Sequence, residues 1–150
     1  MKISFFVFLI MLGMVLSSCT DHSNIEEQNK ALVLKAKDEI LVKGNLDFID
    51  EIFSSEYTNH RSPERGPQVI KKFVTTLRTA FPDLQVTIEP IVAEGNMVAW
   101  QRTQSGTHQA EYMSIPATGK KITWRSMIIS HIVDGKIIEE WAIHDFPNKL

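Results

Sequence analysis

The chain has 150 residues, with 16 basic against 18 acidic side chains, a formal charge of −2, 43% hydrophobic residues and one cysteine. That is one domain's worth of chain, and its 3 Trp and 8 Phe exclude a disordered polyelectrolyte, because so much apolar surface offsets the entropy of ordering. The even charge balance leaves no basic footprint for nucleic acid, and a lone cysteine excludes both an internal disulfide and a zinc site of paired cysteines.

Taken in chain order, the first segment carries one positive charge at Lys2, an apolar run from Ile3 to Leu16, and then Ser17-Ser18-Cys19. Fourteen residues, broken by Ser4 and Gly13, are too few to span a bilayer, which needs about 20, but they suit an export signal. Leu16 does not fit the small-residue rule of an ordinary cleavage site. Leu-Ser-Ser-Cys resembles a bacterial lipobox instead, so residues 1–18 are expected to be removed and Cys19 to carry lipid. The mature protein is then extracytoplasmic, held on a bacterial membrane through Cys19. A plain secreted protein is the alternative.

Residues 19–28 are polar and acidic and read as a tether. Helical spacing follows it, through Ala31, Val33, Leu34, Ala36, Ile40 and Leu41, until Lys43-Gly44-Asn45 interrupts it. A short helix is predicted over Leu46 to Phe53, with Asn45 as its N-cap. Ser54 to Pro67 reads as loop, with room for a brief strand over Tyr57 to Arg61. Pro67 suits a first helical turn, and Ile70, Phe73, Val74, Leu77 and Phe81 then form one stripe that Pro82-Asp83 ends.

From Leu84 the apolar period changes from about 3.6 to 2. Leu84, Val86 and Ile88 alternate with polar neighbours, Glu94-Gly95-Asn96 turns the chain, and Met97 to Thr103 returns. Ile115 to Gly119 is a further turn. Ile122 to Val133 and Lys136 to Asp145 are strands joined by Asp134-Gly135, a strong hairpin signal. Three helices followed by about four antiparallel strands make an α+β domain over residues 29–150, a curved sheet covered by helices that leaves a pocket in its cone.

Several segments occur here in a telling order: Phe81-Pro82-Asp83-Leu84, Val92-Ala93-Glu94-Gly95-Asn96-Met97-Val98-Ala99, Gly106-Thr107-His108, Ile115-Pro116-Ala117-Thr118-Gly119-Lys120, and Asp134-Gly135-Lys136-Ile137-Ile138-Glu139-Glu140-Trp141 with Asp145. Together they resemble the SnoaL-like polyketide cyclases, or ester cyclases, of the nuclear transport factor 2-like superfamily, from about Asn29 to Phe146. The resemblance implies a cone-shaped α+β barrel and an intramolecular aldol condensation of a small hydrophobic carbonyl compound, run by an aspartate without metal or cofactor. By that resemblance Asp145 is the acid and base, and His131 orients or shares its proton. Trp141, His108, His60 and Tyr112 are the expected substrate-binding residues, with Trp141 as a ring wall. Ala110 and Ser114 stand where the family often has glycine.

Strand phase bears on this assignment. A two-residue Asp134-Gly135 turn pairs Val133 with Lys136 and places Glu140, Ala142 and His144 on the His131 face, with Trp141 and Asp145 on the other. Either a β-bulge shifts the phase, or Asp145 lies past the ladder and turns inward, or His131, Glu140 and His144 form the polar group. The five histidines, His22, His60, His108, His131 and His144, show no short metal-ligand spacing, and there is no nucleophile elbow. Export separates the protein from cytoplasmic polyketide assembly. A binding lipoprotein that captures a small apolar molecule is therefore a second expectation, and an isomerase or hydratase of the same fold a third. An outer sheet face rich in Ile and Trp points to a homodimer.

Overall fold

The computed structural model describes residues 23–146. The export segment 1–18 and Cys19 lie outside the described residues. Helix α1 covers 23–36 and continues as a π-helical stretch, Lys37–Val42. It starts earlier than the apolar spacing does, so residues 23–28 are helix rather than tether. The reason is a polar attachment that periodicity does not register: the Glu26 carboxylate accepts the Gly95 N–H at 2.9 Å and the Asn29 amide donates to the Gly95 carbonyl at 3.1 Å, fastening α1 to a turn of the sheet.

The chain leaves this helix at Gly44, whose φ of +75° suits glycine. Arg78 caps the helix end by donating to the Leu41 and Val42 carbonyls at 2.8 and 2.7 Å. Asn45 begins the next turn, its Oδ1 accepting the Phe48 N–H at 3.3 Å, and helix α2 covers Asp47–Ile52. Strand β1 follows at once, Phe53–Asn59, where the sequence predicts mostly loop. Only Phe53 and Tyr57 point inward, too sparse a pattern to read as a strand. Helix α3, Gln68–Ala80, starts behind Pro67 and buries Ile70, Val74, Leu77 and Ala80.

Four long strands complete the sheet: β2 Gln85–Glu94, β3 Met97–Thr107, β4 Lys121–Val133 and β5 Lys136–His144. Its order is β1-β5-β4-β3-β2. The expected antiparallel meander is present, and β1 adds a fifth strand parallel to β5. The inner face of β4 presents Ile122, Trp124, Ser126, Ile128, Ser130 and Ile132, all buried, toward the helices; these residues carry the core.

The family-like segments of the second half fasten one end of this cone. The Asp83 carboxylate accepts the Thr107 N–H at 2.6 Å and its hydroxyl at 2.8 Å, which holds Asp83 below the usual carboxylate range. Phe81, fully buried, stacks on His108 at 5.2 Å and meets Trp124 at 4.6 Å. Gly106 makes room for it, since a Cβ there would lie 3.1 Å from the Phe81 Cβ. Glycine, threonine and histidine at 106–108 thus serve packing and capping.

Candidate functional site

Two residues decide which side chains face the cone. The Asp134-Gly135 turn pairs Val133 with Lys136 and Ile132 with Ile137, but His131 then pairs with Glu139. Ile138 is the extra residue of a β-bulge. Beyond it Ser130 faces Glu140, Ile128 faces Ala142 and Ser126 faces His144, while Ile129 faces Trp141. The bulge therefore does bring His131, Trp141 and Asp145 to one face of the sheet, and that face is the outer one. Glu140 and His144 go inward.

On the outer face Glu139 sits between two imidazoles, His131 Nδ1 and His60 Nε2, each at 2.9 Å, which hold its carboxyl below the usual range. His60 stacks on Trp141 at 4.4 Å. Asp145 lies six register positions from His131 along β4. Its Oδ1 accepts the Arg125 N–H at 2.7 Å, and its own N–H bonds the Arg125 carbonyl. His108 is fully buried in the aromatic end wall, stacked on Phe81, with Nδ1 3.2 Å from Thr118 Oγ1. Of the six residues expected from the resemblance, Tyr112 lines the cavity; Asp145, His131, Trp141, His108 and His60 do not.

The cavity itself has a volume of about 490 Å³, within the range that takes a drug-sized ligand. Apolar side chains of the π-helical stretch and of α3, among them Ile40, Leu41, Val74 and Phe73, close it against Trp100, Trp124 and Ile128 of the sheet. Its two carboxyl groups are Glu64 and Glu140. Glu64 is exposed and pairs with Lys72 at 3.2 Å. Glu140 is buried, and its two oxygens accept the Tyr57 hydroxyl at 2.9 Å and the Ser130 hydroxyl at 2.6 Å. Ser130 is oriented for this by Trp100, whose indole N–H donates to it at 3.0 Å.

Burial pushes the Glu140 carboxyl up from its ordinary range, against the pull of the Ser130 and Tyr57 hydroxyls and of Arg102. Burial and the neighbouring Glu140 push the Tyr57 phenol up as well, so it stays a donor. A desolvated carboxyl with raised proton affinity, held by two donors at the wall of an apolar cavity, is equipped to take and return a proton. His144 also lines this wall; burial, then Arg61 and Arg102, hold its imidazole below the ordinary range. Sequence reasoning set Glu140 and His144 beside His131 only as one of three phases, and it missed Tyr57, Ser130 and Arg102. One signal was available: Trp100, Arg102 and Gln104 on β3, and Trp124, Ser126 and Ser130 on β4, interleave polar residues into the apolar phase of their strands.

Fold and cavity together define a helix-covered, cone-shaped α+β domain with an apolar cavity and one buried carboxyl in its wall. The chain belongs to the SnoaL-like polyketide cyclase family, whose model matches residues 31–148. Among curated relatives it is similar to the aklanonic acid methyl ester cyclase DnrD of Streptomyces peucetius, 31% identical over 115 residues that cover 71% of this chain and 76% of the relative. It is equally similar to the aklanonic acid methyl ester cyclase DauD of Streptomyces sp. strain C5, 31% identical over 71% of this chain and 68% of that one. Among solved structures, a SnoaL-like protein from Jannaschia sp. CCS1 superposes with a TM-score of 0.74 at 25% identity, covering 83% of this chain and 90% of its own.

Proposed function

We propose that the protein is a cofactor-free acid–base catalyst of the cyclase type, closing a ring in a small hydrophobic carbonyl compound held in the cone, with Glu140 as the proton-transferring group. The observation that carries this reading is the placement of Glu140: it is the buried carboxyl of the cavity wall, with its proton affinity raised by burial. The relatives named as aklanonic acid methyl ester cyclases support the reaction class. In the proposed step ionised Glu140 removes a proton from carbon beside a carbonyl, the enolate carbon adds to a second carbonyl of the same molecule, and the new alkoxide takes the proton back from Glu140. One C–C bond forms, and the carboxylate is regenerated.

The proposal moves the acid–base role from Asp145 to Glu140, because the Asp145 carboxylate is turned onto the Arg125 backbone outside the cavity. The proposed setting is extracytoplasmic, with the chain anchored through lipid on Cys19, so the substrate is one that diffuses to the membrane surface. Two copies are proposed to meet through the outer sheet face, where Met127, Ile129, Trp141 and Ile143 are exposed. Conversion of aklanonic acid methyl ester and simpler β-keto esters, followed by mass spectrometry and chromatography, tests the reaction. Wild type and Asp145→Asn should turn over, and Glu140→Gln should lose about 10²-fold or more. Turnover retained in Glu140→Gln refutes the assignment, and no turnover of any of them by the wild type favours a binding protein.

A further inference from the structure

The cavity contains a cation that the acid–base reading does not use. Arg102 stands on β3 in the apolar phase between Trp100 and Gln104, with its guanidinium 5.4 Å from the Phe73 ring centre and 5.8 Å from that of Trp100. Its Nε donates to Gln104 Oε1 at 2.9 Å. The two terminal amino groups meet no protein acceptor among the described residues, and no carboxylate there forms an ion pair with Arg102. A guanidinium stays charged inside a protein, and a desolvated cation without a partner is costly. An anion entering the cavity relieves that cost.

The neighbours of Arg102 are arranged for the same purpose. Gln104 is 1% exposed and lines the cavity. Its Oε1 is occupied by two donors, Arg102 Nε and the Ser126 hydroxyl at 3.2 Å, which fixes the amide orientation and leaves Nε2 as a donor. That Nε2 is buried and has no partner. Arg102 pairs with Ser126 across the sheet, and Ser126 with His144, whose buried Nδ1 is also without a partner. Strands β3 and β5 thus present unspent polar groups to the cavity on either side of Ser126. Of the other charges there, Glu64 is held by Lys72 and Lys37 by Asp38, and Arg61 adds a second cation that donates to the Ala142 carbonyl. Glu140 attracts Arg102 from a distance while its oxygens accept the Tyr57 and Ser130 hydroxyls, so the terminal amino groups of Arg102 keep no bonded partner among the described residues.

We propose that the cavity is built for a free carboxylic acid, its carboxylate gripped by the two terminal amino groups of Arg102 with Gln104 Nε2 as a third donor, in preference to the corresponding methyl ester. A planar guanidinium matches a carboxylate bidentately, whereas an ester offers no charge to it. The inference rests on the reading that this cavity is the reaction site, and it adds a geometry. Glu140 shares its row with Ser130 and Val98, four residues along β3 from Arg102, or about 13 Å of strand. The substrate is therefore a compound with an apolar body that is anchored by its acid at Arg102 and presents its acidic C–H to Glu140.

Binding of anthraquinone-2-carboxylate and its methyl ester at pH 7.5, read by quenching of tryptophan fluorescence and by calorimetry, tests the inference. Wild type should prefer the acid by about tenfold or more, the scale of a charge-assisted bidentate contact. Arg102→Met should lose the preference and keep ester affinity within about threefold, with thermal melting as the check on its fold. Gln104→Met should reduce the preference part of the way. Glu140→Gln, which removes a negative charge from the same cavity, should keep or strengthen it, and this separates the inference from the assignment of the acid–base group. Equal binding of acid and ester by the wild type overturns the proposal without any variant, even where ring closure proceeds. A preference undiminished in Arg102→Met overturns it as well.

Discussion

Tyr57→Phe isolates one atom of the proposed site. Tyr57 is fully buried, and the substitution keeps its ring in the edge-to-face contact with Phe53 at 4.9 Å. What is lost is the hydroxyl that donates to Glu140 Oε2 at 2.9 Å. A hydrogen bond to a charged acceptor contributes about 1.5–3 kcal/mol, and one to a neutral acceptor about 0.5–1.5 kcal/mol. The variant should therefore lose more stability where Glu140 is ionised than where it is protonated.

The sign follows from linkage. Burial places the Glu140 pKa above its unfolded value, so the folded state binds the extra proton and stability falls as pH rises from the ordinary carboxylate range through the folded pKa. Removing the Tyr57 donor raises that pKa further and extends the fall to higher pH, while Glu140→Gln abolishes it. Carboxyl ¹³C NMR titration of the labelled glutamates, with Glu140→Gln providing the assignment, reads the shift directly, and denaturation at several pH values reads the stability. A Glu140 midpoint unchanged or lowered in Tyr57→Phe refutes the reasoning.

Phe81→Ala removes the ring against which His108, Tyr112, Trp124 and Phe146 pack; it should cost about 3–5 kcal/mol and lower the melting temperature by about 12–20 °C by calorimetry, and a drop under 5 °C contradicts the packing. Cys19→Ser should move the protein from the detergent phase to the aqueous phase on phase separation. A wild-type chain that is aqueous and begins at another residue contradicts the lipid anchor. Ile129→Lys, at a position 42% exposed between Ala99 and Trp141 on the outer face, should convert a dimer to a monomer by light scattering with the fold intact; a wild type that is monomeric at high concentration counts against the pairing.

Much of the fold was legible because its signals are local. The change of period at Leu84 located the sheet, and Asp134-Gly135 located the hairpin, where both residues have positive φ. Strand β1 was less legible, since its partner β5 lies some 80 residues away and only two of its side chains enter the core. The site turned on the bulge at Ile138, which no residue type announces. The extra residue in β5 turned Glu140 and His144 inward while His131, on β4, stayed outward, so the unbulged pairing count put Glu140 on the wrong face, and the bulge that the sequence left open as an alternative is the arrangement present. The family-like segments proved easier to read as fold than as chemistry: Phe81, Asp83, Gly106 and Thr107 hold one another, whereas Glu140, Tyr57, Ser130 and Arg102 come from β5, β1, β4 and β3 and meet only in three dimensions.

The most direct test of the account is exchange of the proton that Glu140 is proposed to remove. A cavity-sized β-keto ester is incubated in D₂O with wild type, Glu140→Gln and Asp145→Asn, and deuterium entering the carbon between the carbonyls is followed by NMR above the uncatalysed background. Wild type and Asp145→Asn should both accelerate exchange, and Glu140→Gln should fall about 10²-fold or more below them. Exchange that survives in Glu140→Gln, or that disappears in Asp145→Asn, contradicts the account.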